Sequence, residues 1–277
     1  HYTLYNYNDN NQLVSTIPPE GIDYIAVEPT VDTRVPQHRM ATTYRSNSLG
    51  ELAVSNTPDG GETKYLYDKA GRVRYSQSSE QAARSGGGSV IFSYTKYDEE
   101  TNRITEVGEC NTPVDKFGVA QLAVFEDAAA YVDVLGWPVT NTTDETYFEY
   151  DTPTLTLTGY QQRHVNGRVT RTYNGNGSTH FSYDAHGRVD LLVQEINALA
   201  AAPGGKFKTI EYTYEPITSQ VKQVVFQERN TEEAFYHRYA YDSDNRLSNV
   251  EVSRNGTRWE QAGHYDYFLH GPLKTLE

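Results

Sequence analysis

Short stretches with an aromatic or β-branched residue at every second position run along the whole chain, cut at intervals by polar tips. Tyr65/Tyr67, Phe181/Tyr183, Tyr212/Tyr214 and Tyr239/Tyr241 stand at i and i+2, so each pair shares one face of a strand. An Asp follows most such pairs, at the first position of a turn, where its carboxylate can accept the backbone N–H two residues on. Three residues further comes Gly or Asn, the two types most at ease with positive φ. Arg and a Val, Ile or Leu then restart the alternation. The pattern predicts a mainly β protein of antiparallel hairpins, each closed by a bulge-type connection.

The unit repeats. Tyr-Asp occurs six times, at Tyr67-Asp68, Tyr97-Asp98, Tyr150-Asp151, Tyr183-Asp184, Tyr241-Asp242 and Tyr265-Asp266. The fullest copies are YLYDKAGRVRYSQ, FSYDAHGRVDLLV and YAYDSDNRLSNVE. Residues assigned to the motif are Tyr67, Asp68, Gly71 and Arg72; Tyr97, Asp98, Asn102 and Arg103; and Gly167 and Arg168. Tyr183, Asp184, Gly187 and Arg188 form a further set, as do Tyr241, Asp242, Asn245 and Arg246. Weaker copies bring the turn centres to nine, with Asn11, Gly50, Ser219 and Gly271 added. Their spacing is 20 to 39 residues, save one gap of 65 between Asn102 and Gly167. Centres 50, 71 and 102 recur at 167, 187 and 219, offset by 117, 116 and 117. TPDGGET and YNGNGST fall between units and read as turns at the opposite strand ends. Nine hairpins imply about 18 strands, a sheet of roughly 85 Å at ~4.8 Å per strand, too wide to stay flat.

The stretch 109–146 breaks the pattern. It is Ala-rich, reads as an inserted loop with a short helix over about 119–134, and leaves room for a further repeat copy centred on Gly136. Asn197 to Lys206 and Gly86 to Gly88 read as loops. Residues 1–277 are expected to be one continuous fragment, and since both ends fall inside patterned sequence, a piece of something longer.

Composition refines this reading. Twenty-three Tyr against one Met, with a mean hydropathy of −0.70, exclude a thick aliphatic core. A thin layer is expected, with Tyr rings buried and their hydroxyls wet. Lys and Arg total 24 against 37 Asp and Glu, a net charge of −13 that repels phosphate backbones and argues against a nucleic-acid partner. The single cysteine, Cys110, excludes an internal disulfide framework and a Cys-based zinc site. No apolar run approaches the ~20 residues of a spanning helix, so membrane insertion is not expected.

On these residues the chain resembles the RHS repeat, also called the YD repeat. Phrases such as TPDGGETKYLYDKAGRVRYSQ, SYTKYDEETNRITEVGE and FYHRYAYDSDNRLSNVEVS are similar to long secreted RHS proteins of Bacteroidetes-type bacteria. The resemblance implies hairpins wound side by side into a spiral β-sheet. In complete proteins that sheet closes into a hollow shell, as in the B and C components of insecticidal toxin complexes and in teneurin ectodomains. It further implies an extracellular location, the remaining repeats and core domain of a parent chain as partners, and an enclosed C-terminal effector or toxin. Nothing here matches the self-cleaving core segment of such shells.

The chemistry-bearing residues fit a structural role. Six Tyr-Asp pairs read as capped turns rather than acid–base sites, since a catalytic pair is rarely needed six times. Asp242-Ser243-Asp244-Asn245 starts like a calcium loop but lacks its Gly and distal Glu. His237 and His264 fall in strands and His186 and His270 in tips, with no metal-ligand spacing. No catalytic residue, metal or cofactor is expected. The first functional expectation is a shell segment without activity of its own. The alternative is a secreted or cell-surface module holding a glycan or peptide on its Tyr-rich face; one pocket with converging polar groups would favour it.

Overall fold

The computed structural model describes residues 2–23, 37–112, 141–202 and 204–277. The chain divides into two compact units, His1–Glu145 and Thr146–Glu277. The first holds β1 (Leu4–Tyr7), β2 (Leu13–Ile17), β3 (Thr42–Ser46), β4 (Leu52–Thr57), β5 (Gly61–Tyr67), β6 (Val73–Gln77), β7 (Val90–Tyr97) and β8 (Ile104–Thr112). β9 (Thr142–Tyr150) leads into the second unit, followed by β10 (Val169–Asn174), β11 (Gly177–Tyr183), β12 (Val189–Ile196) and β13 (Phe207–Tyr214). β14 (Val221–Phe226), β15 (Phe235–Tyr241), β16 (Leu247–Ser253), β17 (Glu260–Tyr267) and β18 (Leu273–Leu276) complete it. From β1 to β8, and again from β9 to β18, every strand pairs antiparallel with its neighbour in sequence. The fold is the expected antiparallel meander.

All nine expected turn centres have positive φ, from 57° to 108°, whether the residue is Gly, Asn or Ser. The bulge, however, lies three residues beyond the centre and not at the tip. In β5–β6, Leu66 pairs with Tyr75 and Tyr67 with Val73, so Arg74 is skipped. The same one-residue slip occurs in all nine hairpins, at Thr105 in β7–β8, Asp190 in β11–β12 and Ser248 in β15–β16, for example. The extra residue raises the local twist and turns one main-chain carbonyl out of its own ladder.

The stretch read as an insertion, 109–146, is strand at both ends: Glu109 to Thr112 close β8, and Thr142 to Thr146 open β9. The expected helix over 119–134 and the repeat copy at Gly136 lie outside the described residues. An α-helix does occur elsewhere, α1 (Ser79–Arg84), begun by a capping box in which Ser78 and Gln81 bond each other's backbone N–H. Its signal, Ser78-Ser79-Glu80-Gln81, is legible in sequence but sits between two strands and was hidden by the hairpin pattern.

Alternation becomes burial in both units, with different chemistry. In the first, Ala53, Val54, Leu66, Tyr75, Phe92, Tyr94 and Cys110 form one buried cluster. Tyr75 meets Phe92 edge to face at 5.2 Å. The expectation of wet hydroxyls fails here, because Tyr75 and Tyr94 are 0% and 1% exposed. The Tyr94 hydroxyl instead donates to Glu106 at 2.7 Å, and Lys96 Nζ bonds the same carboxylate. Gly108 faces Tyr94 across the ladder and leaves the ring the space a Cβ would fill. In the second unit the buried positions are mostly polar: Thr170, Ser178, His180, Ser182 and Thr209 beside Leu191 and Val193.

Candidate functional site

The motif residues meet at the hairpin tips. In the β5–β6 tip, Asp68 Oδ1 accepts the N–H groups of Ala70 at 2.9 Å and Arg72 at 3.0 Å. Its Oδ2 accepts Arg72 Nε at 2.7 Å. The β11–β12 tip repeats the arrangement, with Asp184 Oδ1 taking His186 N and Arg188 N and Oδ2 taking Arg188 Nε at 2.7 Å. So does the β15–β16 tip, with Asp242, Asp244 N, Arg246 N and Arg246 Nε. Burial pushes Asp68 up, but the Arg72 N–H and guanidinium and the Arg74 guanidinium outweigh it and hold the carboxyl below the ordinary Asp value. Asp184 and Asp242 are lowered in the same way by their arginines.

The arginines of these three tips also reach the next hairpin. The Arg72 guanidinium lies over the Tyr97 ring at 4.8 Å, Arg188 over Tyr214 at 4.4 Å and Arg246 over Tyr267 at 4.7 Å. The tyrosine under the arginine then donates its hydroxyl to the carbonyl turned out beside that arginine. Tyr97 bonds Val73 at 3.0 Å, Tyr214 bonds Val189 at 2.7 Å and Tyr267 bonds Leu247 at 2.8 Å. Tyr67 bonds Leu52, Tyr183 bonds Val169 and Tyr241 bonds Val221 identically. The bulge supplies the free carbonyl and the next Tyr fills it. This six-fold clasp was not foreseen, because its acceptor is backbone and leaves no residue signature. Burial pushes the hydroxyls of Tyr67, Tyr97, Tyr183, Tyr214 and Tyr241 up, which keeps them protonated donors.

Three of the six Tyr-Asp pairs depart from the expected spelling. In β7–β8, Asn102 follows Asp98 by four residues, and Thr101 supplies an N–H at 2.6 Å and a hydroxyl at 2.7 Å to Asp98. Arg103 follows there, its carbonyl accepting the Asp98 N–H at 2.8 Å. Tyr265-Asp266 is not a tip at all: Asp266 lies inside β17, and Phe268 takes the position of the turn Asp, with Tyr267 as the clasping tyrosine. Tyr150-Asp151 proves to be the missing partner of Gly167-Arg168. Tyr150 pairs with Val169, and Asp151 Oδ1 accepts the Gly167 N–H at 2.6 Å. One hairpin tip therefore carries a long insert, residues 152–166, between the two halves of its motif.

That insert folds back onto its sheet. Gln162, buried, takes the Thr154 and Leu155 N–H groups on Oε1 and donates to the carbonyls of Thr170 and Phe181. Beneath it lies His180, which is 5% exposed. Ser178 Oγ donates to Glu195 at 3.1 Å, so His180 Nε2, 3.0 Å away, gives its proton to Ser178, and Nδ1 accepts from Thr154. Burial and Arg171 hold His180 below its usual value. The ring is a hydrogen-bond bridge, with no lone pair facing the serine. Cys110 is buried in the first unit's core. Among the described residues no three His, Cys, Asp or Glu side chains group together as metal ligands would.

Comparison with known proteins agrees with this geometry. A family model described as "RHS Repeat" matches residues 164–201, which span Gly167-Arg168 and the whole Asp184 tip. No curated protein matches the sequence. Among solved structures the chain is similar to TcdB2-TccC3 without its hypervariable C-terminal region, at 15% identity and a TM-score of 0.54, over 98% of this chain and 11% of that one. It is also similar to TcdB2-TccC3-Cdc42, at 15% identity and a TM-score of 0.56, over 99% of this chain and 11% of that one. The chain thus spans about a ninth of the structures it matches, and at this identity the likeness is one of fold.

Proposed function

We propose, from the premise that this chain is an RHS/YD-repeat protein, that it is a stretch of shell wall which encloses or displays an effector and runs no reaction of its own. The clasp carries this reading. Asp, Arg and Tyr, the residues most able to do chemistry, are engaged at the β5–β6, β11–β12 and β15–β16 tips in holding one hairpin to the next. The partners are then the other repeats and the core domain of the parent chain, together with the cargo behind the wall, and the setting is extracellular. No described helix is long and apolar enough to cross a membrane.

The test is protease protection in the full-length gene product. A segment held behind the wall should survive trypsin in the intact protein and be cut when Tyr97→Leu and Tyr214→Leu open two clasps. Equal cleavage before and after those substitutions would sink the proposal.

A further inference from the structure

Acidic residues outnumber basic ones in this chain, so an arginine has no shortage of carboxylates to meet. The second unit contains nine arginines. Arg163, Arg171, Arg188, Arg238 and Arg246 pair with carboxylates, and Arg168 and Arg229 lie over tyrosine rings. Arg254 and Arg258 do neither. Both are exposed, and among the described residues neither guanidinium has an ion pair, a ring contact or a hydrogen bond. These two arginines share one turn, between β16 and β17, at the strand ends opposite the tips.

That turn is fixed from within. Asn255 Oδ1 accepts the N–H groups of Thr257 and Arg258, both at 3.0 Å, and the Thr257 hydroxyl at 2.9 Å. Ser253 Oγ accepts the Gly256 N–H at 3.0 Å. Trp259 Nε1 donates to the Gly256 carbonyl at 3.2 Å, while its ring lies under Arg238 and meets Tyr236 edge to face. The backbone that presents the two arginines is therefore set before any ligand arrives, which lowers the ordering cost of binding.

The arginines border a cleft of about 350 Å³, at the small end of the ~300–1,000 Å³ range of ligand sites. Phe235 and Val252 give it an apolar floor, and Phe235 is backed edge-on by His237 at 4.8 Å. Glu260 stands opposite Val252 in the ladder and adds a carboxylate with no ion pair of its own.

Each part of this lining selects a feature of the ligand. Two guanidinium forks match the paired oxygens of a carboxylate or a phosphate. Glu260 repels a dianionic phosphate and calls instead for an N–H donor beside the anion. The floor takes an apolar side chain. A carboxylate, an N–H and an apolar group on one residue describe the last residue of a peptide. We propose that this cleft binds the free C-terminus of a peptide ending in a large apolar residue. Arg254 and Arg258 hold its carboxylate, Phe235 and Val252 its side chain, and Glu260 its backbone N–H. Such a site goes beyond the wall reading and stands independently of it.

The experiment is titration calorimetry at low salt on the whole 277-residue chain. The probes are acetyl-Gly-Gly-Phe with a free carboxylate, the same peptide amidated, acetyl-Gly-Gly-Gly, 3-phenylpropionate and phenyl phosphate. The free acid ending in Phe should bind, and the other four should bind more weakly or not at all. Arg254→Ala and Arg258→Ala should each weaken it severalfold, and the double variant about tenfold. Both positions are exposed, so the variants should melt as the parent does. Arg45→Ala, which removes an exposed charge from the first unit, should change nothing. The proposal fails if the free acid does not bind, or if the amide, the Gly peptide, phenylpropionate or phenyl phosphate binds as tightly. It also fails if the double variant binds like the parent.

Discussion

Removing one oxygen atom tests the clasp. In Tyr214→Phe the ring stays under Arg188, but the 2.7 Å hydrogen bond to the Val189 carbonyl is lost. That carbonyl has been turned out of its ladder by the bulge at Asp190, so no strand neighbour replaces the donor. A hydrogen bond of this kind is worth ~0.5–1.5 kcal/mol net, and the stranded half-buried acceptor places the loss near the top of that range. Tyr214→Leu should cost about 1 kcal/mol more, because the cation–π contact goes with the ring. For a unit of this size, roughly 4 °C of melting temperature corresponds to 1 kcal/mol. Tyr214→Phe should therefore melt ~4–6 °C lower by differential scanning calorimetry, with faster amide exchange around Val189. Tyr212→Phe is the internal control, since Tyr212 stacks on Tyr214 at 6.5 Å and makes no clasp. If the two Phe variants melt alike, the hydroxyl-to-carbonyl bond holds nothing and the account of how hairpins adhere is wrong.

Three further outcomes follow. Gly71 and Gly187 sit at φ 73° and 85°, so Val at either should lower stability by at least ~1–2 kcal/mol in urea titrations, while Asn, used at 11, 102 and 245, should be tolerated. Asp68, Asp98, Asp184 and Asp242 all have lowered values in the folded chain, so their contribution is complete above the ordinary Asp range. It is lost as pH falls below about 4 through the folded values: melting temperature should hold from pH 7 to about 4 and then drop, with a smaller acid drop in Asp184→Asn. Gly108→Val would drive a side chain into the Tyr94 ring and should destabilise the first unit by ~1–3 kcal/mol, as an overpacked core does, with the near-ultraviolet tyrosine signal changed.

Most of the fold was legible because its information is local. Asp, Gly or Asn, and Arg within five residues specify a tip without reference to anything distant, and the i, i+2 aromatics specify the strand that leads into it. What sequence missed is what depends on distance or on backbone. Tyr150-Asp151 and Gly167-Arg168 belong to one tip but lie too far apart in sequence to be read together. Tyr265-Asp266 has the right letters in the wrong register, and only the pairing of Tyr267 with Leu273 shows it. The burial of His180 leaves no sequence signal because Thr154, which bonds its Nδ1, comes from the insert, and Ser178, which bonds its Nε2, is itself tied to Glu195 of the next strand.

The bulge and its clasp have a consequence for how such a chain tolerates change. In a long meander, a slip of one residue in any strand would flip the inward and outward faces of every strand after it. Here each hairpin sets its own phase: the slip past Arg74, Asp190 or Ser248 is fixed by the tip, and the following tyrosine reads the phase from a main-chain oxygen rather than from a particular side chain. An error or an insertion is then confined to the hairpin in which it arises. Residues 152–166 are a case in point, for β10 and β11 keep their register and Tyr183 still finds the Val169 carbonyl immediately beyond them. New loops can be tried at any tip while the rest of the array stays in step.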